Sequence, residues 1–210
     1  MYEYDLIVVG AGPYGRSIAA HATAAGLRLR LLGRAPAPVD DRRVTAVRPY
    51  GRDGFEVVTA DGESLRTRTV ALAVGPTPFE EPRSIPQPPP PPGQFPFAPT
   101  HPALFRRLPT VVRVLLADRL TTAAGYRPST ERVTLLSMPV RRRLSRTPDA
   151  PPWVDTRFES AHPGLFFAGL LTTAFFGPLM GSALGADFTA RRILKGVRRR
   201  LGTGPSAPSV

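Results

Sequence analysis

Leu6-Ile7-Val8-Val9-Gly10-Ala11-Gly12-Pro13-Tyr14-Gly15 is an apolar run that ends in a G-x-G-x-x-G turn, and Ser17-Ile18-Ala19-Ala20 continue it as the opening of a small-residue helix. The glycine spacing alone is weak evidence, but between a strand and a helix it has a mechanical meaning. Gly10 permits the tight turn, Gly12 lets backbone approach a pyrophosphate, and Gly15 lets the helix lie close to the sheet. The first N–H groups of the helix then face the phosphates from the positive end of its dipole. This stretch predicts a dinucleotide site, with Pro13 and Tyr14 inside the binding turn.

Outward from the turn, residues 5–32 read as one β–α–β unit. A strand is expected over 5–10 and a helix over 12–25, with Gly26 as its C-terminal stop. Leu27, Leu29 and Leu31 alternate with Arg28 and Arg30 in a second strand. A proline-broken loop over 33–41 leads to strands over 43–48, 55–60 and 64–75, the last two joined by the hairpin signal Asp61-Gly62. Prolines dominate 76–102, with an unbroken run at 88–92, which predicts an extended linker. A P-x-x-P ligand for an SH3-like partner is the functional alternative there. A modest helix over 104–116, a strand over 118–125 and irregular chain over 137–157 follow. Residues 164–169 read as a buried strand, leading through a glycine-rich turn to a helix over about 178–199. The expected organisation is a nucleotide-binding domain begun by 1–75 and completed by 161–200. Between them lie a linker at 76–102 and a short irregular insert at 103–160, and 201–210 form a disordered tail.

Composition narrows the chemistry. A chain of 210 residues can bury one good core and a small second lobe. It contains no cysteine, which removes disulfides, thiolate nucleophiles, Cys-ligated zinc and C-x-x-C redox chemistry from these residues. His21, His101 and His162 are scattered without ligand spacing, so no metal site is expected. Asp118, Asp149, Asp155, Glu159 and Asp187 stand singly, with no dyad or triad spacing. The net charge of +12 is almost all arginine, Lys195 being the only lysine. Aromatic residues do not interleave with the clusters Arg141-Arg142-Arg143 and Arg198-Arg199-Arg200. Solvated charge, and no specific nucleic-acid partner, is therefore expected. The opening Met1-Tyr2-Glu3-Tyr4-Asp5 lacks the basic region of a signal peptide, which makes a cytoplasmic protein the default. Residues 163–186 carry no charge and are long enough to cross a membrane, yet Gly164, Gly169, Gly177, Gly181, Gly185 and Pro178 suit a strand–turn–helix better. No membrane partner is expected.

These segments together resemble the FAD-binding domain of flavoproteins with two dinucleotide-binding folds, and among them flavin-dependent monooxygenases, including the N-hydroxylating lysine and ornithine type. Four stretches carry the resemblance: Val9 to Gly15, Arg43-Val44-Thr45-Ala46-Val47, Val70-Ala71-Leu72-Ala73-Val74-Gly75, and Pro163-Gly164-Leu165-Phe166-Phe167-Ala168-Gly169. Ala123-Ala124-Gly125-Tyr126-Arg127 also looks like the Ala-Thr-Gly-Tyr stretch of these monooxygenases. The resemblance implies an α/β Rossmann-like fold, a mainly parallel sheet flanked by helices with a small antiparallel meander. It implies FAD as cofactor, with Gly10, Gly12 and Gly15 at the pyrophosphate and Val44 near adenine. Gly75 would close the adenosine side, and Gly169 and Leu170 would reach the flavin end.

Three departures matter. Where such proteins end the second strand with a ribose-binding carboxylate, this chain has Gly33 or Arg34. Arg34 could hold the 2′-phosphate of NADP, stack on adenine, or be solvated. Where many members end the late strand with Asp, Leu170 stands. A second G-x-G-x-x-G domain for NADPH, the family's usual reductant, is not found between Gly75 and Gly164. The flavin carries the reaction in this chemistry, so no catalytic side chain is singled out. The expectation is a FAD-dependent, monooxygenase-like oxidoreductase acting on a small-molecule substrate. The alternative is a non-catalytic FAD- or NADP-binding remnant.

Overall fold

β1 (Tyr4–Val9) is apolar on both faces because both are covered: Leu6 and Val8 enter one core, Ile7 and Val9 the other. The computed structural model describes residues 1–33, 41–75, 128–145, 147 and 150–202. The proline-rich linker, the helix expected over 104–116, the strand expected over 118–125, Arg34 and most of the expected tail lie outside them.

Helix α1 (Pro13–Ala24) leaves the glycine turn and packs Ile18 and Ala22 under the sheet. It stops at Gly26, whose positive φ lets Leu27 N–H close back on the Ala22 carbonyl at 3.1 Å. That bond takes Leu27 out of the expected second strand, and β2 is the shorter Leu29–Leu32. β3 (Val44–Tyr50), β4 (Gly54–Thr59) and β5 (Ser64–Leu72) form the antiparallel meander, and β6 (Leu165–Phe167) is the late buried strand. The sheet order is β2-β1-β5-β4-β3, with β6 also on β5. β1 pairs in parallel with β2 and β5, and β5 with β6, whereas β3–β4 and β4–β5 are antiparallel. The sheet is therefore mixed, mostly parallel and flanked by helices, as the sequence indicates.

α1 and the last helix, α4 (Ala186–Leu201), lie on one face; Ala190, Ile193, Leu194 and Val197 of α4 join Leu6, Val8, Ala71 and Phe166 there. The opposite face is covered by Phe55 and Val57 of the meander and by Val133, Leu136, Val140 and Leu144. Val140 and Leu144 belong to α2 (Met138–Leu144), in a stretch whose prolines predict irregular chain. Pro139 sits in the first turn, where a missing N–H costs nothing, and the two apolar residues one turn apart face the core. The late helix also differs from expectation. Residues 169–185 form short helical turns, including α3 (Thr173–Phe176), and α4 begins only at Ala186, after the breaks at Gly177, Pro178 and Gly181. Among the described residues no helix is long and apolar enough to cross a membrane.

The start of β1 is tied to the start of β2 by Asp5, which accepts from Arg28 Nη2 at 2.8 Å and from the Arg28 backbone N–H at 3.0 Å. These bonds, the guanidinium first, hold the carboxyl below its ordinary value of 3.8. A depressed folded value means the contribution is present above pH 3.8 and lost as pH falls through the lowered value. Asp5→Asn is expected to lose stability at neutral pH and to show a shallower acid limb, read by urea unfolding across roughly pH 3 to 7.

Candidate functional site

The parallel strands all end at one edge. Val9 is in register with Leu32 of β2 and Leu72 of β5, and Leu72 with Phe167 of β6. Gly10, Gly33, Ala73 to Gly75 and Gly169 therefore follow the strand ends along this carboxyl edge, where open α/β sheets take their ligands. The chain leaves β1 toward β2 on one side, while β5 and β6 lie on the other, so the turn after β1 sits at the point where the strand order reverses.

The turn is built by contacts that exclude side chains. A Cβ on Gly15 would stand 1.7 Å from the Gly10 carbonyl oxygen, and one on Gly10 would stand 2.1 Å from that of Ala73. Gly10 has φ +107 and donates its N–H to Leu32 at 2.7 Å, while Ala73 N–H reaches Val9 at 2.8 Å. Gly33 approaches from β2, a Cβ there falling 2.9 Å from the Ala11 nitrogen. Gly12 is the opposite case: among the described residues nothing lies within 4 Å of a Cβ built on it. Three strand ends thus lock the turn from behind while its Gly12 side stays open.

Gly12 is the N-cap of α1 and supplies no capping side chain, Pro13 follows it, and the first turn holds no acidic residue. The N–H groups of Tyr14 and Gly15 have no intrahelical acceptor by helix geometry. Donors and dipole are thus presented without an internal anion, the arrangement that suits a phosphate. Arg16 adds a cation, its Nε donating to the Ala11 carbonyl at 3.1 Å. The sequence reading passed over Arg16; its place one helical turn after Gly12 was the available signal.

Tyr14 does not face the turn. Its side chain is buried, and Oη lies 2.8 Å from the carbonyl oxygens of both Met180 and Ser182. Burial pushes its pKa up, so the phenol stays protonated. Gly169, with φ +75, packs against the Tyr14 ring. Leu170 lies in the following turn, its carbonyl accepting from Thr173 Oγ1 at 2.9 Å. Gly75 has φ +73, and among the described residues nothing lies within 4 Å of a Cβ built on it. Val44 is not brought to this edge: it pairs with Thr59 on β3, at the far side of the meander from β1. Among the described residues no group of His, Asp and Glu could hold a metal ion.

These features define a Rossmann-type α/β fold. No protein-family model matches the chain, and no curated protein matches it. Solved structures share its fold. A flavin-containing monooxygenase from Stenotrophomonas maltophilia superposes with a TM-score of 0.60 at 15% identity, over 96% of this chain and 99% of that one. A thioredoxin reductase from Gloeobacter violaceus gives a TM-score of 0.54 at 14% identity, over 100% and 99%. A bacillithiol disulfide reductase from Staphylococcus aureus gives 0.54 at 12% identity, over 92% and 99%.

Proposed function

We propose that this chain is a FAD-dependent oxidoreductase of monooxygenase-like descent. The observation that carries the reading is the turn locked by Gly10 and Gly15 and open at Gly12, at the uncapped start of α1. The residues present fit a dinucleotide diphosphate: Gly12, Tyr14 and Gly15 offer backbone N–H groups, and Arg16 a guanidinium at the same turn. FAD bound there would supply hydride acceptance and oxygen chemistry; the chain's own part is to bind, orient and exclude water. Gly33 and Gly75 flank the turn on the β2 and β5 sides, and Gly169 and Leu170 continue the edge past β6. With no cysteine, these 210 residues hold no thiol of their own for disulfide reduction.

Purified protein is expected to be yellow, or to become so with FAD, with flavin bleached by NADPH and restored by oxygen. Gly12→Asp, which sets a carboxylate among donors meant for phosphate, is expected to weaken FAD binding by about thirtyfold or more at nearly unchanged fold stability. A parent protein that takes up no FAD overturns the reading.

A second reading, a nucleotide-binding remnant without turnover, is favoured by one fact: no second G-x-G-x-x-G lies between Gly75 and Gly164. Bound flavin that NADPH leaves oxidised selects it.

A further inference from the structure

The segment 169–185, called the strap below, joins β6 to α4 across the carboxyl edge. Its internal bonds are short-range: Gly177 N–H to Thr173 at 2.9 Å, Met180 N–H to Gly177 at 3.1 Å, Ser182 N–H to Leu179 at 3.1 Å, Gly185 N–H to Ser182 at 3.4 Å, and the hydroxyls of Thr172, Thr173 and Ser182 back to Gly169, Leu170 and Leu179. Phe175, Leu179 and Leu184 on it are exposed. A run of isolated turns with large exposed side chains has little intrinsic stability, so its order depends on where it is tied.

Leu171 and Met180 enter the two cores and Phe176 stacks on Phe158, and Tyr14 adds the tie that reaches back to the glycine turn. Tyr14 Oη reaches the carbonyls of Met180 and Ser182, and its ring carries Gly169. At Gly185 a Cβ would stand 2.5 Å from that same Oη. Four strap positions therefore converge on one phenol. The other end of Tyr14 belongs to the turn: its backbone N–H is in the first turn of α1, lacks an intrahelical acceptor, and stands beside the open face at Gly12.

We infer that Tyr14 couples diphosphate occupancy of the glycine turn to the order of the strap. This rests on the dinucleotide reading above. A diphosphate that accepts the Tyr14 and Gly15 N–H groups fixes the first turn of α1. The phenol is then fixed with it, and so are the carbonyls of Met180 and Ser182. The ligand need not touch the strap, so a nucleoside diphosphate suffices. A tyrosine that merely fills the core would steady the strap equally with and without ligand; coupling appears only as a difference between the two states.

The test is hydrogen exchange on the full chain and on Tyr14→Phe, each free, with saturating ADP, and with FAD. Tyr14→Phe keeps the ring on which Gly169 packs and removes only the hydroxyl, and a thermal melt checks that it folds. In the parent, ADP is expected to protect residues 10–16 and to slow strap amides about tenfold, the equivalent of one hydrogen bond. In Tyr14→Phe, ADP is expected to protect residues 10–16 alone. Strap protection by ADP that survives in Tyr14→Phe overturns the coupling. So does turn protection in the parent without strap protection, or turn protection by FAD but not ADP. A turn that neither ligand protects overturns the dinucleotide reading itself, and the coupling with it.

Discussion

Gly15→Ala is expected to cost about 4 kcal/mol or more, a large share of the roughly 5–15 kcal/mol that holds a domain folded. The added methyl would fall 1.7 Å from the Gly10 carbonyl oxygen, a backbone atom that cannot rotate away. Gly10 cannot retreat either, because the Ala73 carbonyl stands so close that even a Cβ on Gly10 would lie 2.1 Å from it, and its N–H is held by Leu32. The clash therefore passes from α1 through β1 to β5 and β2. Gly12→Ala is the control, since open space receives its methyl; replacing an N-cap glycine by alanine costs about 1 kcal/mol or less. Urea unfolding followed by circular dichroism separates the two. Coincident midpoints for Gly15→Ala and the parent would mean that the helix does not approach the turn as described.

Glu159→Ala carries the second large effect. This carboxylate is almost fully buried and accepts at Oε1 from the Gly164 N–H at 2.7 Å and from Arg200 Nε at 2.5 Å. Gly164, with φ +79, is the residue that hands the chain to β6, and its own carbonyl accepts from Val70 of β5 at 2.9 Å. One acid thus joins the end of α4 to the entry of β6. Removing it leaves a buried N–H without its acceptor and a cation without its partner, worth about 2–4 kcal/mol. Arg200→Met, which leaves the acid in place with one donor fewer, is expected to cost less, because the arginine is the more exposed partner. A Glu159→Ala midpoint equal to the parent's would sink this account.

The turn was legible because its meaning lies in local spacing: an apolar strand, three glycines, then small residues. Asp61-Gly62 and the charge-free 164–169 were readable for the same reason. Other elements took their form from contacts distant in sequence. α2 looked irregular because three consecutive arginines hide a stripe made of only Val140 and Leu144, and those two become informative only against Leu136 and the sheet. β2 lost its first residues to a helix-ending bond that competes with strand pairing. The late helix began further on because each glycine and proline between 177 and 185 allowed a separate turn. At the site, Gly10, Gly33, Gly75 and Gly169 were named singly, and the strand register gathers them. Tyr14 was named as part of the turn; that its phenol serves another segment could not be read from its neighbours.

β5 is bordered twice along the same side. Ser64 to Thr67 pair with β4, whereas Val70 to Leu72 pair with β6, and β1 takes the opposite side. Both partners are supplied by chain outside 76–127, so the sheet closes whatever joins Gly75 to residue 128. The junction from Gly75 to residue 128 supplies none of the ladder rungs described here, so strand pairing in this sheet sets no limit on its length.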